Sequence, residues 1–109
     1  MNPQFKKGVL EMCVLCSLQG GDKYGFELIS HISRGISMAE GTVYPLLKRL
    51  RDEGLLTTYL RESREGPPRK YYHLTPAGQQ KTEALRAEWQ TFIQGVNLIL
   101  DETSSERRS

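Results

Sequence analysis

Apolar residues recur at helical spacing near the start of the chain. Val9, Leu10, Cys13, Leu15, Cys16 and Leu18 fall within residues 5–19, and Gly20-Gly21-Asp22 follows as a stop signal. The pattern predicts a first helix there. Tyr24, Leu28, Ile29 and Ile32 repeat it over residues 24–33, where Arg34-Gly35 supplies a basic last turn and a glycine cap. Ser37-x-x-Glu40 has the form of a capping box, in which a hydroxyl and a carboxylate satisfy free backbone N–H groups, and it stands directly before Val43, Leu46, Leu47 and Leu50. A third helix is therefore expected to be capped by Ser37 and to run to Glu53, with Gly54 supplying the positive φ that helix ends favour. Pro45, about one turn inside, withdraws a backbone donor from it.

The period then changes. Residues 55–62 are rich in Leu, Thr and Tyr, and residues 70–74 add paired tyrosines. Between them lies Ser63-Arg64-Glu65-Gly66-Pro67-Pro68-Arg69, which predicts a β-hairpin with a projecting basic tip. Tyr71 and Tyr72 must point to opposite faces of their strand, so one of them at most is core. Thr75-Pro76 opens a fourth helix, with a hydroxyl at the N-cap and proline at the first helical position. It is expected to reach about Leu100, about 37 Å at 1.5 Å per residue. Its apolar residues Leu85, Trp89, Phe92, Val96 and Ile99 alternate in steps of four and three, the seam of helices that pair. Residues 101–109 are polar and are expected to fray.

Three helices followed by a basic hairpin is the order of a winged helix-turn-helix, in which the third helix enters the DNA major groove and the hairpin lies along the backbone. The predicted fold is thus mainly α with a small β-hairpin. Residues 1–74 would form the DNA-binding unit, and residues 75–109 a C-terminal dimerisation helix with a polar tail.

Composition narrows the function. With 109 residues, 15 Lys and Arg against 13 Asp and Glu, and 38% hydrophobic residues, the chain is one small domain, too short for two enzyme lobes. The charge is unevenly placed: residues 48–70 hold seven basic and four acidic groups, whereas residues 75–109 hold four basic and five acidic. The middle of the chain suits a polyanion and the last third does not. The longest apolar run, residues 12–16, is far short of the roughly 18 residues that span a bilayer, so no membrane span is expected and a cytoplasmic location is. Cys13-x-x-Cys16 lacks the further ligands of a zinc site, because His31 and His73 lie far off in sequence, and both thiols are expected to be ordinary buried groups. No Cys–His or Ser–His–Asp grouping and no glycine-rich phosphate loop is present, so neither catalysis nor a metal or other cofactor is expected.

The residues suited to duplex DNA follow from this layout. Ser37 and Glu40 would fix the helix end nearest the groove, Thr42 and Tyr44 would offer hydroxyls to phosphates or base edges, and Lys48 and Arg49 would meet phosphates from the later turns. Arg64, Arg69 and Lys70 on the wing would neutralise phosphates. A winged-helix adaptor that binds protein without touching DNA is the alternative. It calls for an acidic or neutral wing, which these three cations oppose.

Four blocks resemble the PadR-type transcriptional regulators. They are Lys7-Gly8-Val9-Leu10-Glu11; Tyr24-Gly25-Phe26-Glu27-Leu28-Ile29; Gly41-Thr42-Val43-Tyr44-Pro45-Leu46-Leu47-Lys48-Arg49-Leu50 with Glu53-Gly54-Leu55-Leu56; and Arg69-Lys70-Tyr71-Tyr72-His73-Leu74-Thr75-Pro76-Ala77-Gly78. The third and fourth, in this order and separation, are highly specific. The resemblance accounts for Pro45, which members commonly carry in the recognition helix. It implies a homodimeric repressor that binds an inverted-repeat operator, its interface built from Leu10 on the first helix and Leu85, Trp89, Phe92, Val96 and Ile99 on the last. Short members with a single C-terminal helix, of the LmrR-like multidrug-sensor type, look most similar in layout and carry a tryptophan on that helix. Trp89 takes its place here, and with Phe92, Ile93 and Glu88 it would line a site for a small aromatic effector.

Overall fold

The computed structural model describes residues 3–108 as four helices and a three-stranded antiparallel sheet. In chain order these are α1 (Pro3–Gln19), β1 (Lys23–Tyr24), α2 (Gly25–Ser33), α3 (Glu40–Asp52), β2 (Leu56–Arg61), β3 (Arg69–Leu74) and α4 (Pro76–Arg108). Leu10, Val14, Leu15 and Leu18 of α1 close a core with Leu28 and Ile32 of α2, Val43, Leu46, Leu47 and Leu50 of α3, and Leu56, Tyr72 and Leu74 of the sheet. Steps of three and four on the helices, and of two on β3, put these residues on single faces.

The start of α3 departs from the sequence reading. Its N-cap is Ala39, with no side-chain cap, and Ser37 lies outside the helix, so the Ser37–Glu40 box does not form. The cause is packing. Gly35 and Ile36 both donate backbone N–H groups to the Ile32 carbonyl and close α2, and Ile36 and Met38 then pack against the core from an irregular segment. Glu27 performs the equivalent task one helix earlier, its carboxylate accepting from the Tyr24 backbone N–H at 3.2 Å.

The end of α3 follows the expectation. Gly54 has φ +80°, Gly54 N–H donates to the Arg51 carbonyl and Leu55 N–H to the Leu50 carbonyl, the paired bonds of a Schellman cap. Thr75 joins this turn to α4: its hydroxyl donates to the Gly54 carbonyl at 2.7 Å and accepts from Gly78 N–H at 3.0 Å. Gly78 is buried against the Leu55 carbonyl and the Leu74 side chain, with no room for a Cβ.

β2 and β3 pair from Leu56↔Leu74 to Arg61↔Arg69, and β1, too short to carry a readable period, adds Lys23↔Tyr72 and Tyr24↔Tyr71. Tyr72 faces the core. Tyr71 lies on the outer face, where it stacks on Tyr59 and meets Tyr24 edge-on. Asp22 fastens that face, accepting from Tyr59 Oη at 2.7 Å and lying 2.8 Å from His73 Nδ1.

The first half of α4 lies on α1, where Gln19 hydrogen-bonds to Gln79, Glu83 and Arg86. The helix then continues through residues 101–108, correcting the expectation of a frayed tail, and its 33 residues extend about 50 Å. Thr103 stays inside it by donating its hydroxyl back to the Ile99 carbonyl. Cys13 and Cys16 are half-buried free thiols, and burial, followed by the charge of Cys16, pushes the Cys13 thiol up. Leu10 is 1% exposed and belongs to the core of its own protomer, so it offers no surface to a partner, contrary to its expected interface role.

Candidate nucleic-acid interface

Because Val43, Leu46, Leu47 and Leu50 turn inward, α3 leaves Glu40, Gly41, Thr42, Tyr44, Pro45 and Lys48 exposed. Pro45 costs the Gly41 carbonyl its usual helical donor, a loss that solvent can offset at this exposed turn. Tyr44 is 46% exposed and its ring rests on Gly25 at the start of α2; a Cβ there would stand 2.6 Å from the Tyr44 hydroxyl. The glycine in Tyr24-Gly25-Phe26 is thus what seats the tyrosine.

Lys48 is well exposed and pairs only weakly with Asp52, at 3.4 Å. Arg49 turns the other way. Its guanidinium donates to Glu11 on α1 at 3.3 Å and to Glu53 at 3.0 Å. Burial opposes its charge, but the hydrogen bond and charge of Glu11, with those of Glu53, hold its pKa above the ordinary value. This places Arg49 as a tie between α1 and α3, away from the phosphate role expected of it. Ser37 is exposed in the α2–α3 connection, and Arg64 stands in the exposed loop between β2 and β3.

On the wing, Arg69 lies over the Tyr24 ring at 4.6 Å from its centroid, and Arg61 over Tyr71 at 5.5 Å. Stacking fixes these guanidinium groups while leaving their charge open to solvent. Lys70 projects from the opposite face of β3, toward α3. Arg51 and Tyr72 join it there, two residues that the layout of the sequence alone does not place on this surface. Their signals are present in hindsight: Arg51 is one turn after Lys48, and Tyr72 two strand positions after Lys70.

A second concavity lies between α1 and α4. Gly8, Val9, Met12, Leu85, Glu88, Trp89 and Phe92 line about 440 Å³. Trp89 and Phe92 are tilted together at 6.2 Å, whereas Ile93 does not line the space. Phe92 in its wall is more than half exposed, as are Leu98, Ile99 and Leu100 further along α4. Among the described residues, no group of three metal-ligating side chains converges and no helix is long and apolar enough to cross a membrane.

A helical triad, a three-stranded wing and exposed cations along one edge of both define a winged helix-turn-helix DNA-binding protein. The chain belongs to the PadR-like family of transcriptional regulators, whose sequence profile matches residues 14–84. It is 34% identical over 86 residues to the transcriptional regulator Rv3488 of Mycobacterium tuberculosis, covering 77% of this chain and 79% of that one. A PadR-like transcriptional regulator from Bacillus cereus shares 37% identity at a TM-score of 0.81, covering 89% and 96%. A PadR-like transcription factor from Bacteroides fragilis shares 39% identity at a TM-score of 0.75, covering 88% and 94%. Family membership makes this chain a regulator, not an enzyme, and implies DNA binding, typically as a dimer.

Proposed function

We propose that the protein is a dimeric repressor of its own or an adjacent promoter, acting in the cytoplasm on an inverted-repeat operator and relieved by a small planar effector. The observation that carries this reading is the division of exposed chemistry: cations and hydroxyls on α3 and the wing, bare apolar side chains on α4. Residues 1–74 would hold the DNA, and residues 75–109 the partner. Thr42, Tyr44, Lys48, Arg69 and Lys70 face outward from the two elements that grip a duplex in this fold. Glu40 would orient the first turn, and Arg64 would add a phosphate contact at the wing tip. Two-fold symmetry would place half-sites about one helical turn, or a multiple of it, apart.

The α1–α4 space, with Trp89 and Phe92 as walls and Glu88 at its rim, is the effector site of this reading. Glu88 favours a cation. Binding of the purified protein to its own upstream DNA, followed by anisotropy with and without planar aromatic compounds, tests both halves. Saturable binding released by such a compound is expected. Binding no tighter than to unrelated DNA would overturn the operator, and compound-insensitive binding would overturn the effector.

A further inference from the structure

Cys13-x-x-Cys16 has no part in the DNA interface, yet the packing of α2 on α1 gives it surroundings of its own. Both half-buried thiols line a cavity of about 310 Å³ together with Ser17, His31, Ile32 and Ile36. This cavity shares no lining residue with the α1–α4 space. His31, far off in sequence, is brought to the same wall and fastened there. The Ser17 hydroxyl donates to the Cys13 carbonyl at 2.8 Å, so it accepts from His31 Nδ1, also at 2.8 Å. Among the described residues no third metal ligand converges with the two sulfurs.

Geometry separates the chemistries open to such a pair. Both residues lie inside the continuous helix α1, and side chains three apart on a helix have Cβ atoms about 5–6 Å from each other. A disulfide needs about 3.5–4.5 Å, so direct oxidation would have to distort the helix. Burial, followed by the charge of Cys16, also pushes the Cys13 thiol up and keeps scarce the thiolate on which a peroxide acts. Zinc is poorly served, because it takes four ligands. An inserted atom fits better: two bonds to sulfur of about 2.3 Å, the length zinc makes to a thiolate, let the sulfurs stand apart without moving the backbone.

We propose that Cys13 and Cys16 form a site for trivalent arsenicals that carry one organic group. Arsenic of this kind is satisfied by two sulfurs, since carbon fills its third bond, and the cavity walls Ile32 and Ile36 offer that carbon group an apolar seat. The step is a condensation with no change of oxidation state. R–As=O and two S–H groups give R–As(S)2 and one water: the arsenic–oxygen bond breaks, two arsenic–sulfur bonds form, and both thiol protons leave in the water. Size limits the substituent. Pockets for free small ligands begin at about 300 Å³, so the group is small, on the scale of a methyl or a single ring. The inference stands apart from the DNA-binding reading.

Phenylarsine oxide is the probe, added to the folded protein in a phosphine reductant. By intact mass and thiol titration, the wild-type chain is expected to take up one phenylarsenic group and to lose both thiols. The adduct should survive excess monothiol and yield to a small dithiol, which displaces both sulfurs together. Cys13→Ser and Cys16→Ser should each release the group at about a hundredfold lower monothiol concentration, the advantage that a second linked contact confers. The adduct should also raise the thermal midpoint, because the folded chain holds the sulfurs and the apolar walls in one place. A wild-type chain that takes up no arsenical overturns the site, as does a single-cysteine variant that holds it as firmly as wild type. A midpoint lowered by the adduct overturns it as well, since the pair would then bind best where the cavity is lost.

Discussion

Gly25 and Tyr44 occupy one volume: the tyrosine ring of the recognition helix lies where a side chain at the head of α2 would be, and a Cβ on Gly25 would stand 2.6 Å from its hydroxyl and 2.8 Å from its Cε1. Because α2 and β1 meet at this point, the glycine sets where a DNA-facing hydroxyl is held relative to the wing. Gly25→Ala must displace the ring or part the helices. Overpacking of this kind costs about 1–3 kcal/mol. Urea unfolding should show that loss, and DNA titration should show a weaker complex even where the variant is fully folded. Tyr44→Phe, which keeps the ring, should retain stability and lose affinity. An Ala variant with wild-type stability and affinity would refute the arrangement.

The sequence was most informative where one local rule decides the outcome. Gly54 and Thr75-Pro76 close α3 and open α4 through hydrogen bonds that span a few residues, and both are legible from residue type alone. Ser37 misleads because a distant cause prevails: Ile36 and Met38 are drawn to the core, and the N-cap falls two residues later, at Ala39. Arg49 and Lys48 are neighbours of equal charge, and only the position of Glu11 on α1 separates a structural tie from a solvent-facing cation. β1 is two residues long and exists by virtue of its partner, β3. The polar end of α4 shows no apolar period, yet it remains helical by propagation from the turns before it.

Acid should loosen the wing through Asp22. The hydrogen bonds of His73, then Tyr59, hold its carboxyl below the ordinary value of 3.8. A carboxylate whose folded pKa is depressed adds stability that is fully present above the unfolded value and is lost as pH falls through the folded one. The dependence therefore lies below about pH 4. Asp22→Asn should be less stable than wild type at pH 7 and should lose less stability between neutral pH and that acid range. Thermal midpoints measured over the series check this, and parallel curves for the two proteins would discount the network.

Exposed apolar side chains on α4 call for a partner. Phe92, Leu98, Ile99 and Leu100 are each more than half exposed, a stretch far more apolar than a solvent-facing helix sustains. Light scattering at micromolar concentration is expected to return twice the 12.4 kDa chain mass. Phe92→Glu should shift the population to monomer or unfold it, whereas Glu102→Gln, on the polar end, should leave it unchanged. A wild-type monomer under these conditions would remove the symmetric operator along with the dimer.

Trp89 gives the effector site its own reporter, since it is the single tryptophan of the sequence. It shares the α1–α4 space with Met12 and Phe92, and the opening is large enough for a small planar compound. The helix α1 that forms one wall also carries Glu11, the residue bonded to Arg49 on α3. A ligand that spreads α1 from α4 would therefore pull on the recognition helix through this ion pair, which links occupancy to DNA affinity by a single helix. Planar aromatic cations should quench the indole emission and weaken operator binding over the same concentration range. Glu88→Gln should reduce the preference for cations over neutral analogues. Arg49→Gln should keep the quenching while shrinking its effect on DNA, because the ligand still binds and the tie is cut. If quenching occurs with operator affinity untouched in wild-type protein, the space binds ligand without regulating; if no planar compound perturbs the emission and Trp89→Ala merely destabilises the fold, the indole serves packing alone.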